Sequence, residues 1–283
     1  MENGQASKTA MRVAMRRAAH QMIDRPLVFD DALAVKIVEP LLAIGGHNYE
    51  IKRSKHAVSK AFRSYMVGRS RYAEDELARS VKSGLRQYVV LGAGLDTFGC
   101  RNANADLNVY EVDFPATQAW KRELLRQAGI AAPENLHFVP VDFDTMNLAD
   151  ELMAAGFDRS RPGFFSWLGV TMYLTIAGFR KTMQAIGGGS GGSAVSFDFS
   201  LPRESLAATE QIALDGLAKR VAAAGEPLTL FFTEEEIAGE CRRAGFERWE
   251  FLDAGALNRR YFSGRTDGLG LVAGAARLAT AWK

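Results

Sequence analysis

The sequence contains little that would point to a secreted, membrane-bound or nucleic-acid-binding protein. Its two cysteines, Cys100 and Cys241, form neither a disulfide framework nor the spacing of a zinc site. No run of 18 apolar residues is present, so we expect no membrane-spanning helix. The 35 basic and 33 acidic residues leave a formal charge of only +2, which argues against nucleic acid as a partner. The first twenty residues have no apolar signal-peptide segment, and we expect a cytoplasmic protein.

What the sequence does contain is enough apolar material, 47% of 283 residues, for the core of one large domain. We find no repeat and no linker, and we predict a single domain over residues 1–283. Residues 1–85 are predicted to form a helical N-terminal cap, because apolar side chains recur there at helical spacing. Asp30 and Asp31 are expected to begin its second helix, which Gly45 and Gly46 would end. The apolar positions of the three predicted helices are Met11, Met15, Ala18, Ala19 and Met22; Leu33, Ile37, Val38, Leu41 and Leu42; and Val58, Phe62, Tyr65 and Met66.

Residues 86–283 have a different pattern, in which short apolar runs alternate with helix-length segments. This alternation predicts an α/β fold with a mostly parallel, Rossmann-like sheet. Two further runs, 246–252 and 268–274, have no clear helix between them and predict an antiparallel C-terminal hairpin. The segment from about 201 to 228 is predicted to be an insert after the fifth strand. The five predicted parallel strands are Tyr88–Leu91, Leu107–Val112, Leu136–Val139, Gly163–Leu168 and Ala194–Phe199.

The end of the first strand has the most informative motif. Tyr88–Leu91 leads into Gly92-Ala93-Gly94, a pattern that lets a backbone approach a ligand closely, although tight turns also use it for packing alone. Thr97 occupies the position of the third glycine in the dinucleotide fingerprint, which weakens a pyrophosphate-binding interpretation. The site would then lie where the first strand ends.

Acidic residues follow the next two strands. Glu111 and Asp113 end the second strand, where a carboxylate can accept both hydroxyls of a ribose, unless they belong to a solvated loop or a helix cap. Asp142 and Phe143 end the third, where they could bind adenine, although Asp142 could equally cap a helix starting near Met146. Three such strand ends together favour an adenosine-bearing ligand. The missing third glycine favours S-adenosylmethionine over NAD.

With these motifs, the chain resembles the leucine carboxyl methyltransferase-like family, in particular its bacterial branch of S-adenosylmethionine-dependent O-methyltransferases. The resemblance implies a class I methyltransferase fold and extends, at lower density, over nearly the whole chain. The segments that carry it are Val90–Thr97, Tyr110–Pro115, Val141–Phe143 and Gly169–Leu174.

The resemblance also implies roles for individual residues. Arg69 would pair with the methionyl carboxylate of the cofactor, unless it is a solvated charge on a helix, and Arg17 would be a second clamp on that carboxylate. Leu168 stands where many relatives have a glutamate, which makes Trp167 a candidate apolar substitute. The other implied cofactor-binding residues are Gly92, Ala93, Gly94, Asp96, Glu111, Asp113, Asp142 and Phe143.

The acceptor is expected to be a small molecule, methylated at a carboxylate oxygen. A carboxylate is already ionised at neutral pH and needs no general base, and no metal is implied. Tyr173 and Arg203 are the candidate acceptor contacts, under a cover formed by the N-terminal helices and residues 201–228. Two alternatives remain open, a protein carboxyl methyltransferase and an NAD(P)-linked oxidoreductase. The histidines considered as bases are His20, His47, His56 and His137, and none is placed as an obvious one.

Overall fold

The computed structural model describes residues 7–45, 57–143 and 145–283 of the chain. Within these ranges, helices and strands alternate as the sequence predicts. The strands are β1 (Gln87–Leu91), β2 (Asn108–Asp113), β3 (Leu136–Pro140), β4 (Phe164–Trp167), β5 (Ala194–Ser200), β6 (Arg248–Leu252) and β7 (Ala276–Trp282). The α-helices are α1 (Lys8–Ile23), α2 (Ala34–Gly45), α3 (Ala57–Lys82), α4 (Phe98–Arg101), α5 (Pro115–Gln127), α6 (Leu148–Ala154), α7 (Ile176–Gly187), α8 (Ala208–Ala222), α9 (Glu234–Ala244) and α10 (Ala254–Tyr261).

The described strands form one seven-stranded sheet with the order β3-β2-β1-β4-β5-β7-β6. Strands β1 to β5 are parallel, and β7 pairs antiparallel with both β5 and β6. Because β1 lies between β2 and β4, the strand order reverses next to β1. In open α/β sheets, ligands bind outside the carboxyl ends of the strands at such a reversal.

The core of the sheet is apolar on both faces. Every residue of β1 and β5 is buried, which is typical of central strands covered by helices on each side. Trp167 and Phe179 stack at a centroid distance of 5.3 Å inside the larger cluster, on the face covered by α6, α7 and α9. A second cluster under α3 includes Leu77, Tyr88 and Phe164.

The N-terminal helices pack in part as the apolar periodicity predicts, but Met22 is exposed, and Phe62, Tyr65 and Met66 are only half-buried. Ser7 caps α1, because its hydroxyl oxygen accepts a hydrogen bond from the backbone N–H of Ala10 at 3.1 Å. The Asp31 carbonyl accepts from the N–H of Ala34 at the start of α2. Ile37 and Val38 of α2 are fully buried, in a cluster that also includes Ala14 and Ala18 of α1. The side chain of Val58 and the residue Gly46 lie outside the described part of the chain.

The antiparallel pair at the C-terminal edge is confirmed, but the strand predicted at 268–274 is wrong. This segment is irregular, and the second strand of the pair is β7, preceded by helix α10. The Asn258 side chain donates to the carbonyl of Leu271 at 2.9 Å and accepts from its N–H at 2.8 Å. These backbone groups are therefore satisfied by a helix side chain rather than by a strand. The alanine-rich sequence of β7 has low strand propensity and gave no signal.

No helix in the described ranges is both long enough and apolar enough to cross a membrane.

Candidate functional site

A cavity of about 440 Å³ lies at the carboxyl ends of the parallel strands. Small-molecule sites typically enclose about 300–1,000 Å³, so its size suits a ligand of that class. Its walls come from the turn after β1, the ends of β2 and β3, the segment after β4, helices α1 and α3, and residues 225–229. The predicted site residues in these walls are Arg17, Arg69, Gly92, Ala93, Gly94, Asp96, Asp113, Asp142, Phe143 and Tyr173.

The turn after β1 is fixed by its two glycines. Gly92 has φ +67° and Gly94 has φ +49°, the left-handed region that favours glycine. A Cβ atom at Gly92 would lie 2.3 Å from the Cγ2 of Val170, so a side chain there would clash with the segment after β4. The N–H groups of Gly92 and Ala93 both donate to the carbonyl of Val112, which ties the turn to β2.

Asp113 connects that turn to the end of β2. Its carboxylate accepts hydrogen bonds from the N–H of Gly94 and, at 2.7 Å, from the N–H of Phe114. Burial raises the pKa of Asp113, and these two N–H donors oppose that rise. A carboxylate has about four lone-pair positions, so two remain for the hydroxyls of a ligand.

Glu111 does not reach the cavity. It lies on the same face of β2 as Asp113 but two residues further from the strand end, about 6–7 Å away. Its side chain is fully buried and pairs with Lys121 of α5. Burial raises the pKa of Glu111, and Lys121 opposes that rise. In the structure, Glu111 therefore forms a buried ion pair with Lys121 and does not make the predicted ligand contact.

Arg69 is a buried residue of α3 rather than a solvated charge. Its Nη1 atom donates to Asp198 of β5 at 2.6 Å, and the same carboxylate accepts from the Gly169 N–H at 2.6 Å and the Tyr65 hydroxyl at 3.0 Å. Although burial alone would lower it, Asp198 raises the pKa of Arg69. Asp198 is a site residue that the sequence does not predict, because its only signal is a single acidic residue inside the apolar run of β5.

Arg17 is held between two carboxylates. Its Nη1 atom lies 2.5 Å from Asp96, and its Nη2 atom lies 2.6 Å from Asp31. Burial would raise the pKa of Asp96, but Arg17 lowers it well below the usual range. Both terminal nitrogens thus have protein partners, whereas the buried Nε atom has none. In this structure Arg17 positions Asp96 at the cavity wall.

A second ion pair, half-buried and without a clear signal in the sequence, lies beside Arg17. Glu74 of α3 lines the cavity and accepts two hydrogen bonds from Arg101. Burial raises the pKa of Glu74 to about 7, although Arg101 acts in the opposite direction. Glu74 is therefore a group in the cavity wall that titrates near neutral pH.

The third strand end and the segment after β4 also face the cavity. Asp142 and Phe143 lie in its wall, and the alternative role of Asp142 as a helix cap is wrong, because Asn147 caps α6. Leu168 lines the cavity itself. Trp167 does not, since it is fully buried against Phe179, so it cannot be the apolar substitute for the family glutamate.

The two predicted acceptor contacts lie in different places. Tyr173 lines the cavity next to Thr9. Burial, and then the nearby charge of Glu226, raise the pKa of Tyr173. Arg203 is exposed, does not line the cavity and pairs with Asp215 at 2.9 Å, so the structure does not bring it to the site.

The described histidines lie away from the cavity. His20 is fully buried, where its Nδ1 pairs with Asp24 at 2.9 Å and its Nε2 accepts from the Val28 N–H at 3.1 Å. His137 stacks on Tyr110 within the sheet. The other two, His47 and His56, lie outside the described residues.

The fold and this cavity together define a class I methyltransferase architecture. A solved structure described as a candidate methyltransferase from Thermobifida fusca superposes with a TM-score of 0.59 at 14% identity, over 100% of this chain and 96% of that one. A family DUF574 protein from Streptomyces avermitilis superposes with a TM-score of 0.55 at 14% identity, over 99% of both chains. At 14% sequence identity, these two similarities show a shared fold only.

Sequence comparison gives the family. The leucine carboxyl methyltransferase family model matches residues 10–187. YktD of Bacillus subtilis, named as a candidate S-adenosyl-L-methionine-dependent methyltransferase, is 32% identical over 291 aligned positions, covering 95% of each chain. The chain therefore belongs to the leucine carboxyl methyltransferase family. As the sequence predicts, this membership makes it an S-adenosylmethionine-dependent methyltransferase.

Proposed function

We propose that the protein transfers a methyl group from S-adenosylmethionine to an oxygen atom of a small molecule. The observation that carries the proposal is the meeting of three strand ends at one cavity. The Gly92–Gly94 turn, Asp113 and the pair Asp142–Phe143 all line it. This is the arrangement that an adenosine-bearing ligand requires at the strand-order reversal of an open α/β sheet.

The charge of the cavity wall fits this cofactor. Among the described lining residues, five are acidic and two are basic. An excess of negative charge favours a ligand with a positive centre, such as a sulfonium. The acidic residues are Glu74, Asp96, Asp113, Asp142 and Glu226, and the basic residues are Arg17 and Arg69.

Asp113 and Arg69 have spare hydrogen-bonding positions for this ligand. Asp113 would hold the ribose through its two remaining lone-pair positions, and Asp142 with Phe143 would hold the adenine. Arg69 would hold the methionyl carboxylate, because a guanidinium has five N–H donors and Asp198 takes few of them. Bound there, S-adenosylmethionine supplies an activated methyl group and its own leaving group. The protein's task is to align the acceptor oxygen and to exclude water.

The cover of the cavity supports a small acceptor. Helix α1 contributes Thr9, Ala10 and Val13 to one side, and residues 225–229 contribute to another. A cavity of about 440 Å³ that is covered on these two sides suits a compact molecule better than a protein chain terminus. The resemblance implies a carboxylate oxygen as the acceptor, whereas the negative charge of the wall favours a neutral hydroxyl oxygen.

The test begins with titration calorimetry of S-adenosylmethionine, its demethylated product and NAD. We expect micromolar affinity for the first two and no binding of NAD. Tighter binding of NAD than of S-adenosylmethionine would overturn the proposal. The loaded protein is then incubated with hydroxyl compounds, carboxylic acids and short peptides, and the methyl mass increment is measured. Methylation confined to peptide C-termini would favour a protein carboxyl methyltransferase instead.

A further inference from the structure

Glu226 lies in the cavity wall on a segment that is fixed to the segment after β4. Its backbone N–H donates to the carbonyl of Val221 at 3.0 Å, which closes the turn after α8. Three residues further on, the N–H of Thr229 donates to the carbonyl of Met172 at 2.8 Å, and its hydroxyl donates to the carbonyl of Leu174 at 3.0 Å. Glu226 is therefore held beside the segment that carries Tyr173.

The Glu226 carboxylate already accepts hydrogen bonds from hydroxyl groups. Ser7 donates through its Oγ at 2.7 Å, and Thr9 donates through its Oγ1. Tyr173 lies next to Thr9 in the same wall. All four side chains line the cavity, and we call Ser7, Thr9, Tyr173 and Glu226 the hydroxyl cluster. It is a place in the wall where an O–H group is recognised by a carboxylate.

The charges around the hydroxyl cluster disfavour an anionic acceptor. In the described part of the wall, Arg17 and Arg69 are the basic side chains, and each is paired with a buried carboxylate behind the wall. These partners are Asp31 and Asp198. Both terminal nitrogens of Arg17 are taken by Asp31 and Asp96, and Arg69 would hold the methionyl carboxylate of the cofactor. A carboxylate acceptor would therefore meet Glu226 as a like charge without a basic side chain of its own. A neutral hydroxyl would instead find an acceptor for its proton.

We infer that the methyl acceptor carries a neutral hydroxyl group and that Glu226 receives the proton of this group during transfer. The inference rests on the proposed function. The acceptor oxygen forms a bond to the methyl carbon while the bond from that carbon to sulfur breaks, and sulfur keeps the electron pair. The hydroxyl proton passes to the Glu226 carboxylate, and the products are a methyl ether and a neutral thioether. A carboxylate in hydrogen-bond reach of the reacting hydroxyl is a suitable general base for this step.

The experiment compares matched aromatic compounds that carry either a hydroxyl or a carboxyl group on the same ring, phenols against benzoates. The rate constant kcat/KM is measured from the methyl mass increment with the parent protein, Glu226→Gln and the control Glu204→Gln. Glu204 is exposed and outside the cavity, so its variant makes the same charge change elsewhere. Saturation-transfer NMR measures binding of each compound to the protein loaded with the demethylated cofactor.

We expect the parent to methylate phenols at least tenfold more efficiently than the matched benzoates. Glu226→Gln should lower kcat/KM for phenols at least tenfold and strengthen benzoate binding, and it should weaken S-adenosylmethionine binding much less than it lowers kcat/KM. Its melting temperature should stay close to that of the parent, because the amide oxygen still accepts from Ser7. Glu204→Gln should behave like the parent.

Equal or better methylation of benzoates, an unaltered Glu226→Gln variant, or a panel in which no phenol is bound or methylated would overturn the inference. Failure of S-adenosylmethionine to bind at all would instead overturn the proposed function, so the two failures are distinguishable.

Discussion

Arg69 and Asp198 form a buried ion pair that joins helix α3 to strand β5 at the wall of the cavity. The Nη1 and Oδ2 atoms lie 2.6 Å apart, and the side chains are 6% and 0% exposed. The same carboxylate accepts from the Gly169 N–H and from the Tyr65 hydroxyl. A buried pair of this kind is well satisfied only while every partner is present.

Removing Asp198 should therefore destabilise the protein strongly. We expect Asp198→Ala to lower the free energy of unfolding by about 3–5 kcal/mol, because it leaves the Arg69 guanidinium buried without its partner. Denaturant unfolding measures this loss. The double variant Asp198→Ala with Arg69→Met removes the orphaned charge and should recover a large part of it. A double variant that is less stable than Asp198→Ala would contradict the conclusion that the unpaired Arg69 charge causes the loss of stability.

The predicted contact between Arg69 and the cofactor carboxylate is tested with a side chain that keeps the positive charge but lacks the planar guanidinium. Arg69→Lys should weaken S-adenosylmethionine binding nearly as much as Arg69→Ala, by about 1.5–3 kcal/mol, because a point charge cannot replace a planar fork on a carboxylate. Calorimetry gives the affinities. Arg126→Ala, at a site where the side chain is 73% exposed, serves as the control. If Arg69→Lys kept the full affinity, the guanidinium group would not bind the cofactor carboxylate through two parallel hydrogen bonds.

The role of Asp113 can be separated from that of a loop residue. Asp113→Ala should reduce the affinity for S-adenosylmethionine by about 2–4 kcal/mol, since charge-assisted hydrogen bonds to two ribose hydroxyls would be lost. The variant also loses the acceptor for the Gly94 N–H, so its folding is checked by circular dichroism and thermal unfolding. Asp106→Ala, at an exposed position, is the matched control. Parent-like affinity in a folded Asp113→Ala protein would refute the ribose assignment.

Much of the fold could be predicted from the sequence, because local patterns decide it. The parallel strands β1 to β5 are apolar runs bounded by turn residues, and such runs are visible without a structure. Strand β7 was not visible, because its alanines form a strand only through pairing with β5 and β6 on both sides. A pattern that depends on tertiary neighbours has no local signal.

The same distinction applies to the site. Residues at strand ends were found because parallel strands bring their carboxyl ends to one edge of the sheet. Glu111 was misplaced because the sequence does not show that Lys121 of the following helix covers it. Asp198 and Glu226 were missed because their partners are more than 100 residues away, at Arg69 and Ser7. Such pairs depend on how helices lie over the sheet, which residue spacing does not encode.

The tight turn after β1 predicts a specific steric effect. Gly92→Ala should lower the free energy of unfolding by about 2–4 kcal/mol, since a positive φ costs about 1–3 kcal/mol and the new methyl group would also clash with Val170. Adding Val170→Ala should relieve the clash but not the backbone strain, so recovery should be partial. Thermal and denaturant unfolding measure both variants. Complete recovery by Val170→Ala would show that the backbone conformation costs little.

Glu74 gives the protein a pH-dependent stability in the neutral range. Its pKa is raised from 4.5 to about 7, chiefly by burial, with Arg101 acting in the opposite direction and Asp96 adding to the rise. Its side chain is only 19% exposed. Between these two pKa values the folded state holds a proton that the unfolded state has lost. The free energy of unfolding therefore falls as pH rises through this window, with no further change from Glu74 once both states are ionised.

The matched variant is Glu74→Gln, which keeps the shape of the protonated side chain and cannot ionise. The difference in unfolding free energy, parent minus Glu74→Gln, should fall by about 2–3 kcal/mol between pH 5 and pH 8. Urea unfolding at several pH values measures it, because charges that titrate in both proteins largely cancel in the difference. Glu204→Gln, at an exposed position, should show a flat difference over the same range. A difference that stays flat for Glu74→Gln, or that rises with pH, would show that Arg101 keeps the Glu74 carboxylate ionised and that its pKa is not raised.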